Sequence, residues 1–147
     1  HPTLITGTVP VTGSILRSTG NVIHRGGVSN AWVESTICTS ANDKAAVGVY
    51  AGQWSSKSAL SVSGSMSYVY NAIGEGQVLV TDTGGDIETG DYICSSDSAG
   101  HGMKQADDIL RNYTVAKANE NVDWSTVEID ATLGFKSQLI ACTYHCG

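Results

Sequence analysis

The chain has 147 residues, a length suited to one domain with a single hydrophobic core. Hydrophobic residues make up 41% and charged residues 15%, with 17 glycines, 2 prolines and a net charge of −6. That balance excludes a disordered chain and a coiled coil, and it argues against nucleic acid as a partner, because phosphates are bound by clustered Lys and Arg and the 8 present are scattered.

Residues 1–30 alternate small polar residues with single aliphatics (Leu4, Ile5, Val9, Val11, Ile15, Leu16) between Thr-Gly and Gly-Ser pairs, which predicts short strands and turns with little core. This stretch is expected to be a shaft end or strand extension, with a β-rich domain over 31–147. From Ala31 the pattern tightens. AWVESTICT predicts a strand with Trp32 as anchor, SANDK a turn, and AAVGVYAG a second strand. SGSMSYVYNAIGEGQVLVTDTGG predicts two more strands, separated by a turn over Asn71 to Gly76. Gly84-Gly85-Asp86 and Gly90-Asp91 predict two chain reversals around Ile87-Glu88-Thr89. QADDILRN is the best helix candidate and is barely two turns long. In TVEIDATLGF, Val127, Ile129, Ala131, Leu133 and Phe135 share one face of a period-two pattern, which predicts a half-buried strand. The expected fold is all-β or nearly so, a barrel or a sandwich with at most one short helix. No internal repeat of fixed period is visible, which argues against a solenoid or propeller. No stretch approaches the roughly 18 to 20 apolar residues of a membrane span, and the first residues lack a basic region followed by an apolar run, so no membrane insertion is expected.

Chemistry-bearing residues are sparse. In the ending ACTYHCG, Cys142, His145 and Cys146 offer thiolate and imidazole ligands for zinc, with Cys38 or Cys94 needed to complete a four-ligand site; buried thiols or a disulfide are the alternatives. Asp82, Asp86, Glu88, Asp91 and Asp97 cluster without EF-hand spacing, at turns where Asp binds backbone N–H groups. Asn112-Tyr113-Thr114 fits an N-glycosylation acceptor. His101, between two glycines, reads as a solvated turn residue, and no Gly-x-Ser-x-Gly elbow is present. No cofactor is expected.

The segment NAIGEGQVLVTDTGGDIETGDYICSSDSAGHGMKQADDILRNYTVAKANE resembles the carboxy-terminal domains of phage and algal-virus tail-fibre or appendage proteins, among them the autoproteolytic intramolecular chaperones of phage neck appendages. The matching elements are Asn71 to Gly76, Gly90 to Ser96, Gly100 to Lys104 and Tyr113 to Ala118, about a third of the chain; FKSQLIACTYHCG also resembles such fibre ends. Where the family usually has Pro-Gly-Tyr, this chain has Ala99-Gly100-His101. Cleaving members carry an Ala-Asp-Tyr-Ala-Glu-type segment. Its nearest counterpart, Ser29 to Glu34, keeps an aromatic and the glutamate without the aspartate, leaving Glu34 as the catalytic candidate.

The resemblance implies a viral fibre or tailspike domain located in the virion, made in the host cytoplasm and acting as a homotrimer. It would assemble the fibre and attach to a host-surface receptor or glycan. A self-cleaving chaperone peptidase using Glu34 is the alternative. A carbohydrate-binding knob with Trp32 or Trp54 as stacking platform is a further one.

Overall fold

The computed structural model describes residues 1–24, 26–28, 31–53 and 68–145. Ten strands follow one another: β1 (Pro2–Ile5), β2 (Ile15–His24), β3 (Ala31–Ile37), β4 (Ala46–Gln53), β5 (Tyr68–Asn71), β6 (Ile73–Val80), β7 (Tyr92–Ser95), β8 (Gly102–Lys104), β9 (Thr114–Ala118) and β10 (Gln138–His145). Single turns of 3-10 helix at Asp82–Gly84 and Trp124–Thr126 are the only helical elements among the described residues. The domain is therefore all-β, as the composition implies.

The strands close into two five-stranded barrels of the same topology. The first runs β1-β3-β2-β4-β5 and the second β6-β8-β7-β9-β10, each closing on itself. Each has one parallel contact, β1 with β3 and β6 with β8, and every other pair is antiparallel. The correspondence reaches individual residues. Ile15↔Val49, Leu16↔Gly48 and, past a bulge, Arg17↔Ala46 match Tyr92↔Lys117, Ile93↔Ala116 and, past a bulge at the same place, Cys94↔Thr114. Likewise Leu16↔Ile37 and Ser18↔Ser35 match Ile93↔Lys104 and Ser95↔Gly102. Backbone bonds outside the ladders repeat too: Gly13 N–H to Tyr50 O (2.9 Å) and Gly90 N–H to Ala118 O (2.8 Å), or Cys38 N–H to Ile15 O (2.9 Å) and Gln105 N–H to Tyr92 O (2.7 Å). What repeats is hydrogen-bond register rather than side chains. The segments joining equivalent strands differ in length, 19–34 against 96–101, so no fixed period survives in the sequence.

One core runs through both barrels, with Ile15, Cys38 and Val49 of the first packed with Val78, Ile93, Val115 and Ile140 of the second. The β7–β8 loop of the second barrel fits into the first as a plug. Ile15 N–H donates to Gly100 O and Gly100 N–H to Cys38 O, both at 2.8 Å, so one glycine bridges two positions of the other barrel. Ser95 extends the contact: its carbonyl accepts from Asn42 N–H (3.2 Å), and its hydroxyl donates to Ser40 O (2.8 Å) and accepts from Asp43 N–H (2.9 Å). Asp97 Oδ1 accepts from Ala41 N–H at 2.9 Å, and Leu79 N–H donates to Gly13 O at 3.0 Å.

Several expectations change. The boundary expected at residue 30 falls inside the first barrel, because β2 is paired with β3 through Ile23↔Trp32 and His24↔Ala31, and Ile15 and Leu16 are fully buried. TVEIDATLGF is not a strand. Asp130 Oδ1 accepts from the N–H groups of Thr132 and Leu133 and its carbonyl from Gly134, folding the segment into a loop with Ile129 and Leu133 exposed. QADDILRN forms turns rather than a helix, with the Gln105 amide donating to Asp107 Oδ1 and Ile109 O. The turn expected over Asn71 to Gly76 shrinks to Ala72, and β6 begins at Ile73. Gly76 is glycine because a Cβ there would enter the Tyr144 ring, whose hydroxyl donates to Gln77 O at 2.6 Å.

The plug can be tested at Gly100, whose φ is +72° and whose Cβ would stand 3.0 Å from Ile37 Cγ2 and 3.1 Å from Ser14 Cβ. Gly134→Ala, at φ +80° in open space, carries only the backbone strain, about 1 kcal/mol. Gly100→Ala is expected to lose at least ~1 kcal/mol more, because neither barrel can yield without disturbing the other. Urea midpoints of the two variants measure the difference; equal midpoints would contradict a tight plug.

Candidate functional site at the junction of the barrels

Residues singled out in the sequence do not converge. Glu34 lies on β3, half-buried, where its Oε1 accepts from Thr19 Oγ1 at 2.9 Å and Asn21 Nδ2 at 3.2 Å. These partners are a hydroxyl and an amide, so the carboxylate anchors the β2–β3 pair and meets no second carboxylate through them. Trp32, on the same strand, is buried and presents no open ring for stacking a sugar. Trp54 and Cys146 lie outside the described residues. Cys142 and His145 both stand on β10, but three residues apart in a strand puts them on opposite faces. Cys142 faces the core, whereas the His145 ring stands edge-on to Tyr92 at 6.4 Å, so these two cannot share one metal ion. No cluster of three potential metal ligands occurs among the described residues.

Buried chemistry elsewhere is quiet. Burial pushes the Cys94 thiol up to about 11, which keeps it protonated at neutral pH, and its Sγ faces Met103 O at 3.9 Å. Hydrogen bonds from Arg111, at 2.8 Å, and then from Gln105 hold the Asp107 carboxyl down at about 2. Of the carboxylates between Asp82 and Asp97, Asp86 Oδ1 accepts from the distant Trp124 N–H at 3.0 Å, and Asp91 Oδ2 accepts from Glu88 N–H at 2.8 Å within a turn.

The most organised polar arrangement surrounds His101. His101 is only 4% exposed, which corrects its reading as a solvated turn residue. Its Nδ1 is 2.9 Å from Ala99 O and its Nε2 is 2.7 Å from Ser137 Oγ. A carbonyl only accepts, so Nδ1 carries the proton, and in the neutral ring Nε2 receives the Ser137 hydroxyl hydrogen. Phe135 packs edge-on against the imidazole at 4.9 Å. His101 and Ser137 border an apolar groove of about 520 Å³ between the barrels, lined by Val9, Val11, Leu79 and Leu133. Hydroxyl, imidazole and carbonyl stand in the order nucleophile, base and orienting group. The ring is closed in on its edges, however, and sits at the end of the plug. Its immediate physical effect is to tie the β7–β8 loop to the segment entering β10. Ser137 is 36 residues from His101 and nothing in either local sequence signals the pairing.

No protein-family model, no curated protein and no solved structure matches the chain.

Ser137→Ala leaves the His101 Nε2 without its donor in a buried setting and is expected to cost about 1–2 kcal/mol. A double-mutant cycle with His101→Gln should show a coupling of at least ~0.5 kcal/mol in urea denaturation. Additive losses would remove the pair as a clamp.

Proposed function

We propose that the chain is a non-enzymatic assembly and attachment domain of a viral fibre or appendage, working as a homotrimer in the virion and meeting a receptor or glycan on the host surface. The observation that carries this reading is where the resemblance falls. Its elements fall in order along the second barrel: Asn71 to Gly76 runs from the last residue of β5 into the start of β6, Gly90 to Ser96 contains β7, Gly100 to Lys104 contains β8 and Tyr113 to Ala118 contains β9. The glycines in those elements answer backbone needs. Gly76 lies under Tyr144, Gly90 has φ +100°, Gly100 forms the plug, and a Cβ on Gly102 would stand 2.6 Å from Ile93 Cγ2. A motif made of such positions specifies a scaffold rather than a reaction. The neutral partners of Glu34 point the same way, since an acid and base pair needs two titrating groups.

Native mass spectrometry tests the trimer. The expected species has three times the 15.3 kDa chain mass; a monomer throughout the micromolar range would overturn the reading. An upstream fusion, as wild type and as Glu34→Ala, tests the absence of catalysis. Intact products from both are expected, and a cut abolished by Glu34→Ala would put a self-cleaving peptidase in its place.

A further inference from the structure

We infer that the second barrel carries an open copy of the socket that its own loop fills in the first barrel, and that a second copy of this chain occupies it, through the arm formed by β2 and β3. The residue correspondence defines the surface. Barrel one receives the plug on Gly13 to Ile15 and on 38–43, and the matching positions in barrel two are Gly90 to Tyr92 and 105–111. A Cβ on Gly13 would stand 2.8 Å from Leu139 Cδ1, pressed by the neighbouring barrel, whereas a Cβ on Gly90 would meet only Lys117 Cε at 4.0 Å. Gly100 bridges Ile15 and Cys38; among the described residues no segment bridges their counterparts Tyr92 and Gln105.

The plug has a counterpart as well. The β7–β8 loop corresponds to the connection between β2 and β3, since Ser95↔Gly102 matches Ser18↔Ser35. In barrel one that connection is drawn out into a ribbon continuing through Val22↔Val33 to His24↔Ala31. Cβ positions on Gly20 and Gly27 of this arm meet nothing within 4 Å, and Val28 is fully exposed, at 103%. The open socket shows aliphatic side chains where barrel one is engaged, with Ile109 56% and Leu110 52% exposed. Where Ser14 and Ile37 flank Gly100, the second socket has Asp91 and Lys104, whose charged groups lie 3.6 Å apart and supply a polar rim.

The two barrels of one chain thus pack head to tail: a surface of one meets a different surface of the other, and among the described residues no matching backbone bond runs the opposite way. Leu79 donates to Gly13 O, while its counterpart Leu4 makes no such bond to Gly90. A head-to-tail contact repeated between copies generates a ring or a filament. This deepens the trimer reading, on which it rests for its copy number: closure after three chains gives a ring of six barrels.

The test uses two exposed positions, where a charge does not disturb the core. Val28→Asp blocks the arm and Ile109→Glu blocks the socket, with Leu110→Glu as a second socket variant. Each variant alone is expected to run as a folded monomer in native mass spectrometry, with the circular dichroism of the wild type. An equimolar mixture of an arm variant and a socket variant is expected to give one-to-one dimers and nothing larger, because each supplies the single face the other retains. Variants that stay trimeric would overturn this surface while leaving the trimer standing. Monomeric variants whose mixture stays monomeric would overturn the head-to-tail contact. A monomeric wild type would remove both readings.

Discussion

The structure depends on a backbone contact made by one glycine. Gly100 gives its N–H to Cys38 and its carbonyl to Ile15, standing between two positions of a barrel to which it does not belong. Buried backbone groups need partners, and Ile15 and Cys38 at the edge of the first barrel would otherwise present theirs to water or to apolar side chains. The approach is possible only without a side chain, and the surrounding Ser95, Asp97 and His101 are held by bonds that fix the loop in this position. Fusion of the cores follows. With the plug seated, Ile15 and Val49 belong to the same apolar cluster as Val78, Ile93 and Ile140.

A shared register lets a single chain of this size hold two closed barrels. A five-stranded barrel has a small interior, and a half-chain alone sits near the lower limit at which burial outweighs the entropy of ordering. Joining two barrels through one core enlarges the buried volume while closure removes open sheet edges. The halves differ where the fold permits: a short plug on one side, a long arm on the other, Ile37 against Lys104 at one position and Cys38 against Gln105 at the next.

Strands were legible where alternation and a partner coincide, as in β3, β4 and the second half of β6. TVEIDATLGF shows the limit, since it alternates perfectly and yet makes only the isolated bridge Ile129↔Lys136. Asp130 turns the chain before a partner strand can be met, and period-two pattern alone does not supply one. Gly76, inside β6, reads as a turn in the sequence because the ring that requires it, Tyr144, lies 68 residues away. His101 and Ser137 are invisible as a pair for the same reason. The opposite faces of Cys142 and His145, by contrast, follow from strand periodicity once β10 is recognised.

Amide hydrogen exchange at Ile15 and Gly100 tests most directly whether the two barrels form one cooperative unit. These N–H groups donate across the junction, and the account predicts that they exchange only through global unfolding, with the same free energy and the same denaturant slope as Ala116 within the second barrel. Exchange of Ile15 and Gly100 through a smaller opening, with Ala116 still protected, would show that the barrels part independently and would contradict it.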